Sequence, residues 1–158
     1  QNATGAVMSP FDSFLVSRGV KTLQVRVEKQ SQSALELAEW LQKDPRVSRV
    51  LYAGLPTHPG HELAQRQMKG GFGGVLTIEV KGDFAKVKRV AESTKLFALA
   101  VSFGAVESLI EQPASMSHAS YAPADRLAHG ITDGLLRLSI GLESVEDLKA
   151  DLDQALNA

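Results

Sequence analysis

The sequence predicts a single α+β domain: one sheet of about four strands, helices packed on one face, and a long N-terminal helix. Three observations carry this. The length of 158 residues is about one domain's worth. Hydrophobic residues make up 44% and charged residues 22%, a mixture that fills a core and keeps a surface in water. Helical and strand patterns alternate along the chain, but the strand patterns are few and short, which suits a single helix-covered layer better than a doubly wound parallel sheet.

Residues 8–29 read as the long helix. Ser9-Pro10 supplies an N-cap and a proline at the first helical position, Asp12 sits where the helix dipole favours an anion, and Phe11, Phe14, Leu15, Val16, Leu23 and Val27 recur at helical spacing, with Gly19 as a weak point. Residues 31–43 form a second amphipathic helix with Leu35, Leu37, Ala38 and Leu41 inward, closed by Asp44-Pro45. Val47 to Tyr52 is a strand bounded by proline and glycine, and residues 60–69 are a short helix entered through Thr57-His58-Pro59. Val75–Val80 alternates as a half-buried strand, and Asp83 caps a helix over 84–92. Leu96–Ala100, Glu107–Ile110 and Leu135–Ile140 are further strands, and Ser144–Leu156 is a closing helix with Glu146 and Asp147 in its first turn.

The chain has no cysteine, so disulfides, thiolate nucleophiles and zinc–thiolate sites are excluded. No apolar run approaches the ~18–20 residues that span a bilayer, and no signal-peptide pattern stands at the N-terminus, so the expected compartment is the cytoplasm and no membrane partner is expected. The net charge of −1 divides into a balance of +5 over residues 1–95 and −6 over 96–158. The basic part is interleaved with acids and aromatics are only 6% of the chain, so no nucleic-acid partner is expected; two halves with complementary fields explain the split.

Four local patterns bear on chemistry. Gly70, Gly71, Gly73 and Gly74 lead into a strand rather than a helix N-terminus, so they read as a tight turn and not as a phosphate cradle. His58 and His61 flank Pro59 and share no regular helix face; helix-entry roles fit them better than metal ligation, and no metal is expected. Ser115, Ser117 and Ser120 lie around His118, but adjacency in sequence does not supply triad geometry. Arg137 stands inside the apolar strand Leu135–Ile140 and is the only Lys or Arg between 127 and 148. A guanidinium on a rigid strand can grip a carboxylate in a bidentate fork; it can equally occupy the wet face of a half-buried strand, and composition leaves both readings open.

Several segments together resemble one family. They are Gln1-Asn2-Ala3-Thr4-Gly5-Ala6-Val7 with Ser9-Pro10-Phe11-Asp12, Arg18 to Leu23, Tyr52-Ala53-Gly54-Leu55-Pro56 with His58-Pro59, and Gly71-Phe72-Gly73-Gly74. Ser102 to Leu109, Pro113-Ala114-Ser115-Met116 with His118-Ala119-Ser120, Gly130-Ile131 and Leu136 to Glu143 continue the match. In this order, over nearly the whole chain, they resemble the C-terminal part of the Cys/Met-metabolism enzymes that use pyridoxal phosphate: cystathionine β-lyase, cystathionine γ-lyase, cystathionine γ-synthase and methionine γ-lyase.

The resemblance implies the small C-terminal domain of a fold type I pyridoxal-phosphate enzyme, with residues 1–158 as that one domain. The cofactor would be pyridoxal phosphate, held mainly by an upstream large domain that also carries the cofactor lysine; the chain begins without methionine and is expected to be part of a longer enzyme, inactive alone. Ser93-Thr94-Lys95 superficially matches the family's lysine motif, but the spacing is wrong and the place in the domain is wrong, so Lys95 is rejected and no cofactor-binding residue is assigned. Arg137 matches the arginine that binds the substrate α-carboxylate, and Ser102 the serine whose backbone and hydroxyl lie beside that carboxylate and the cofactor lysine. Ser102 is thereby the expected catalytic residue and Arg137, Ser102 and Val101 the expected substrate-binding residues. Val101 stands where many γ-synthases and γ-lyases of the family have Glu, and Val101-Ser102-Phe103-Gly104 resembles plant-type cystathionine β-lyases; a Val-Ser pair also occurs in methionine γ-lyases, and valine also suits a short strand. The implied partners are a sulfur amino acid, the upstream domain and further copies in a homotetramer. The expected reaction takes cystathionine to homocysteine, pyruvate and ammonia, with the reactions of cystathionine γ-synthase, cystathionine γ-lyase or methionine γ-lyase as the alternative. A non-catalytic amino-acid-binding module is the reading from another class, since a fold alone does not decide function.

Overall fold

The computed structural model describes residues 3–158; Gln1 and Asn2 of the opening motif lie outside the described residues. Five strands make one mixed sheet: β1 (Val47–Leu51), β2 (Val75–Val80), β3 (Ala98–Leu99), β4 (Leu109–Glu111) and β5 (Leu135–Ser139), in the spatial order β1-β2-β5-β4-β3. All neighbours pair antiparallel except β3, which runs parallel to β4. The six helices are α1 (Pro10–Val20), α2 (Leu23–Leu41), α3 (His61–Gln67), α4 (Phe84–Glu92), α5 (Pro123–Ala128) and α6 (Val145–Leu156).

The α+β class stands, and the sheet has five strands rather than about four. Its edge is short for a physical reason. Residues 96–100 were expected to be extended throughout, but the Asp151 carboxylate of α6 accepts the backbone N–H groups of Lys95, Leu96 and Phe97, leaving only Ala98 and Leu99 to pair with β4. The strand expected at 107–110 begins at Leu109, because Ser108 N donates to Glu143 Oε1 at 2.7 Å.

The long N-terminal helix is also corrected. In place of helices over 8–29 and 31–43 the break falls at Lys21-Thr22, giving α1 and α2. Thr22 leaves helical geometry, and Arg26 Nη1 bridges the break to Gly19 O at 3.0 Å. Gln30 and Ser31, at the expected boundary between the two helices, are instead buried inside α2, where Ser31 Oγ accepts from Gly73 N at 3.1 Å. Ser9 caps α1 as expected, accepting from Asp12 N. Helix α5 was not anticipated, although Pro123 at its first turn and Asp125 behind it are ordinary start signals.

Helix α2 lies against β1 and β2, α4 against β5, and α6 against both α2 and α4, with the core between. Leu37, Leu41, Leu76, Ile78, Ile110, Leu136, Leu138, Leu148, Leu152 and Leu156 are fully buried there. Alternation along β2 buries Leu76, Ile78 and Val80, leaving Thr77 and Glu79 on the opposite face. Two ion pairs join the halves, Arg46–Asp153 and Lys149–Glu36, both at 2.6 Å; the first follows the charge split and the second runs against it. Helix α1 buries none of its residues, and Phe11, Phe14, Leu15 and Val16 stand exposed along it.

Candidate functional site

Arg137 sits at the middle of β5, with Thr77 of β2 and Glu111 of β4 as its cross-strand partners. Directly opposed residues share a sheet face, so these three form one row on the face away from the helices. Arg137 Nη2 lies 2.5 Å from Glu111 Oε2 and donates to the backbone oxygen of Ser102 at 2.8 Å. The approach to Oε2 is off the N–H axis, so the Glu111 contact is an ion pair and not a directed hydrogen bond. The guanidinium also lies 5.9 Å from the centre of the Phe103 ring, within cation–π range.

Two residues further along β5 and on the same face, the Ser139 hydroxyl accepts from Gly104 N at 3.1 Å. Alternate residues of one strand thus grip both ends of the Ser102–Gly104 turn. Ser102 has φ 107°, and it is the sole non-glycine residue with positive φ among the described residues. Strain of this kind costs about 1–3 kcal/mol and persists where surroundings hold it.

The far side of the turn is clamped as firmly. Leu142 N donates to Val106 O at 2.8 Å, and Gln30 Nε2 of α2 donates to Ala105 O at 2.8 Å. Ser108 Oγ accepts from Gly141 N and donates to Glu143 Oε2, both at 2.8 Å. A Cβ on Gly141 would fall 2.3 Å from Val106 O, so this close approach requires glycine. Segment Gly141-Leu142-Glu143 therefore works as a clasp on the site turn.

Of the expected site residues, the fold brings Arg137 and Ser102 together through the Ser102 carbonyl, with Val101 next in the chain and about half exposed. Lys95 is elsewhere: its backbone N is held by Asp151, and its side chain lines a shallow hollow against α6 on the helical side. The histidines take local roles. His58 Nδ1 accepts from Gly60 N at the entrance to α3, while His61 Nδ1 meets Ala53 O at 2.8 Å and its ring stacks on Phe72. Ser117 Oγ lies 2.9 Å from His118 Nδ1, but among the described residues no carboxylate hydrogen-bonds that ring. The glycine run is a turn: Gly70, Gly71 and Gly73 have positive φ, and a Cβ on Gly71 would meet Ser31 Cβ at 2.7 Å. The Tyr52 hydroxyl seals this turn by donating to Gly73 O at 2.8 Å, and burial pushes its pKa up to about 12.

Sequence reasoning missed Glu111 and Ser139. Glu111 carried a signal, an acid directly after the apolar pair Leu109-Ile110, but its pairing with Arg137 depends on strand register that the sequence does not display.

Compared with known proteins, residues 1–157 match the family described as Cys/Met metabolism PLP-dependent enzyme. The chain belongs to that family. It is 53% identical to a cystathionine beta-lyase of Coxiella burnetii and 52% identical to a cystathionine gamma-lyase of Dictyostelium discoideum. Each match covers 99% of this chain and 40% of the relative. A solved structure of cystathionine gamma synthase from Xanthomonas oryzae pv. oryzae superposes with a TM-score of 0.91 at 49% identity, over 99% of this chain and 40% of that one. The chain therefore spans about two fifths of the length of the relatives it matches, and it has the architecture of a domain of a PLP-dependent enzyme. Among the described residues no helix is long and apolar enough to cross a membrane.

Pyridoxal phosphate is the cofactor of this family. The residues here fit one side of such a site. Arg137 Nη1 and Nε have no acceptor among the described residues, so the guanidinium keeps donors for an anionic group.

Proposed function

We propose that residues 1–158 are the substrate-carboxylate-binding domain of a cytoplasmic, homotetrameric carbon–sulfur lyase, joined to an upstream domain that carries the cofactor lysine. The proposed reaction is β-elimination, taking cystathionine and water to homocysteine, pyruvate and ammonia. The observation that carries the reading is the Arg137 guanidinium, anchored through Nη2 to a strained backbone turn, with its other nitrogens left for a ligand.

Pyridoxal phosphate, when bound, supplies the electron sink on which the bond to sulfur is broken. The residues of this chain orient the amino acid. Arg137 holds the α-carboxylate by charge-assisted hydrogen bonds, which fixes the direction of the Cα–H bond before proton removal. Ser102, with its carbonyl on Arg137, borders the bound amino acid, and its hydroxyl is the catalytic polar group of the turn. Val101, half exposed and apolar, offers no partner for the distal ammonium of an extended substrate; this supports β- over γ-elimination.

Cystathionine γ-lyase is the second reading, because the relatives of the two activities are 53% and 52% identical to this chain. The deciding experiment incubates the full-length enzyme with cystathionine, cysteine, methionine and O-acylhomoserines and identifies the keto acid. Pyruvate as the dominant product from cystathionine is expected. Dominant 2-oxobutyrate replaces the proposal with γ-elimination.

A further inference from the structure

We infer that Glu111 is a positioning residue for the carboxylate-binding guanidinium of Arg137, an inference that rests on the reading of Arg137 given above. The two residues are register partners across β4 and β5, so their backbones are locked side by side. Glu111 is fully buried, whereas the Arg137 side chain keeps 28% of its surface exposed. The carboxylate therefore lies behind the guanidinium, and the ligand side of the guanidinium stays open.

The carboxylate has two occupants for two oxygens. Oε2 lies 2.5 Å from Arg137 Nη2, and Oε1 accepts from Ser117 N at 3.3 Å. Arg137 is the only cation paired with Glu111 among the described residues. A buried carboxylate without its cation is strongly unfavourable, so Glu111 holds Arg137 in place as much as Arg137 satisfies Glu111. On the guanidinium, Nη2 is used by Glu111 and the Ser102 carbonyl, while Nη1 and Nε remain for a ligand.

A free arginine loses considerable rotamer freedom when it binds a ligand, and a partner that orders it beforehand removes that cost from the binding step. Glu111 also brings a negative charge near the incoming carboxylate. That repulsion acts across the intervening guanidinium, and an L-alanine Ki lowered by Glu111→Gln would show that it outweighs the ordering effect. Glutamine cannot replace Glu111: it removes the charge of the ion pair, and its amide NH2 must face either the Arg137 guanidinium or the Ser117 N–H.

The test uses the full-length holoenzyme and compares Glu111→Gln, Arg137→Ala and the double variant. L-alanine serves as a competitive inhibitor with a carboxylate, and ethylamine as its counterpart without one. Glu111→Gln is expected to raise KM and the Ki of L-alanine about ten-fold, with kcat within about three-fold and ethylamine inhibition and the cofactor absorbance unchanged. In the Arg137→Ala background the same substitution is expected to add nothing, since the role runs through Arg137. An unchanged or lowered Ki for L-alanine, or an equal weakening of ethylamine, overturns the positioning role. Should Glu111→Gln not fold, Glu111→Asp keeps the charge but withdraws it by one methylene; about a three-fold rise in the L-alanine Ki is expected, and no rise overturns the inference. If Arg137→Ala itself leaves the L-alanine Ki unchanged, the carboxylate reading of Arg137 fails. If only Glu111→Gln is silent, that reading stands and the role of Glu111 falls.

Discussion

Arg137 donates through Nη2 to the backbone oxygen of Ser102 at 2.8 Å, and Ser102 adopts a φ of 107° that side chains rarely accept. A strand residue thus holds a strained turn in place while keeping part of its own hydrogen-bonding capacity unspent. The charge that would bind a substrate and the backbone that would border it are joined directly by this contact, and Ser139 of the same strand holds the other end of the turn.

Replacing Arg137 tests the charge. In the full-length enzyme Arg137→Ala is expected to lower kcat/KM for the amino acid by about 30-fold to several-thousand-fold, equivalent to about 2–5 kcal/mol, while the cofactor absorbance persists. Arg137→Lys restores only part of this, because an ammonium lacks the planar fork. Steady-state kinetics with cystathionine reads both variants.

Ser102 separates strain from chemistry. Ser102→Gly is expected to raise stability by about 1 kcal/mol, because glycine tolerates positive φ, and to lower kcat about ten-fold through loss of the hydroxyl. Ser102→Ala keeps the strain and loses the hydroxyl, so its kcat should fall equally with no gain in stability. A kcat unchanged in both would restrict Ser102 to its backbone role.

Gly141 tests the clasp. Its missing Cβ would meet Val106 O at 2.3 Å and the backbone carbon of Glu107 at 2.6 Å, neither of which moves cheaply. Gly141→Ala is expected to destabilise the protein by about 2–4 kcal/mol and to lower kcat/KM, because the 102–106 turn shifts with Val106. Denaturant midpoints and steady-state kinetics measure the two effects.

Acid stability has a separate origin. The Arg46 guanidinium, bonded to Asp44 at 2.6 and 2.9 Å, holds the Asp44 carboxyl below its usual range. A lowered folded-state pKa contributes stability that is present above the unfolded value of about 4 and is lost as pH falls through the folded one. Arg46→Met is expected to cost about 1–2 kcal/mol at neutral pH and to flatten the loss of stability below pH 4. Unfolding free energies measured between pH 2 and 7 check the sign.

By itself the sequence determined whatever depends on local pattern. The alternation of Val75–Val80, the Asp83 cap before α4, the apolar run of Leu135–Ser139 and the glycine turn at 70–74 were readable because propensity, capping and side-chain period act over a few neighbouring residues. Resemblance to family motifs marked Arg137 and Ser102 as a pair, although 34 other residues separate them in the chain. Tertiary structure decided the rest. The register that sets Arg137 beside Glu111, and the distant turn that reaches its guanidinium, are not displayed by the sequence. Asp151 shortened β3 from another element altogether, and burial of Gln30 and Ser31 carried α2 through the expected boundary at residue 30. In each case a contact made across long sequence separation outweighed a local preference, because satisfying a buried polar group is worth more than the small propensity differences that pattern alone reveals.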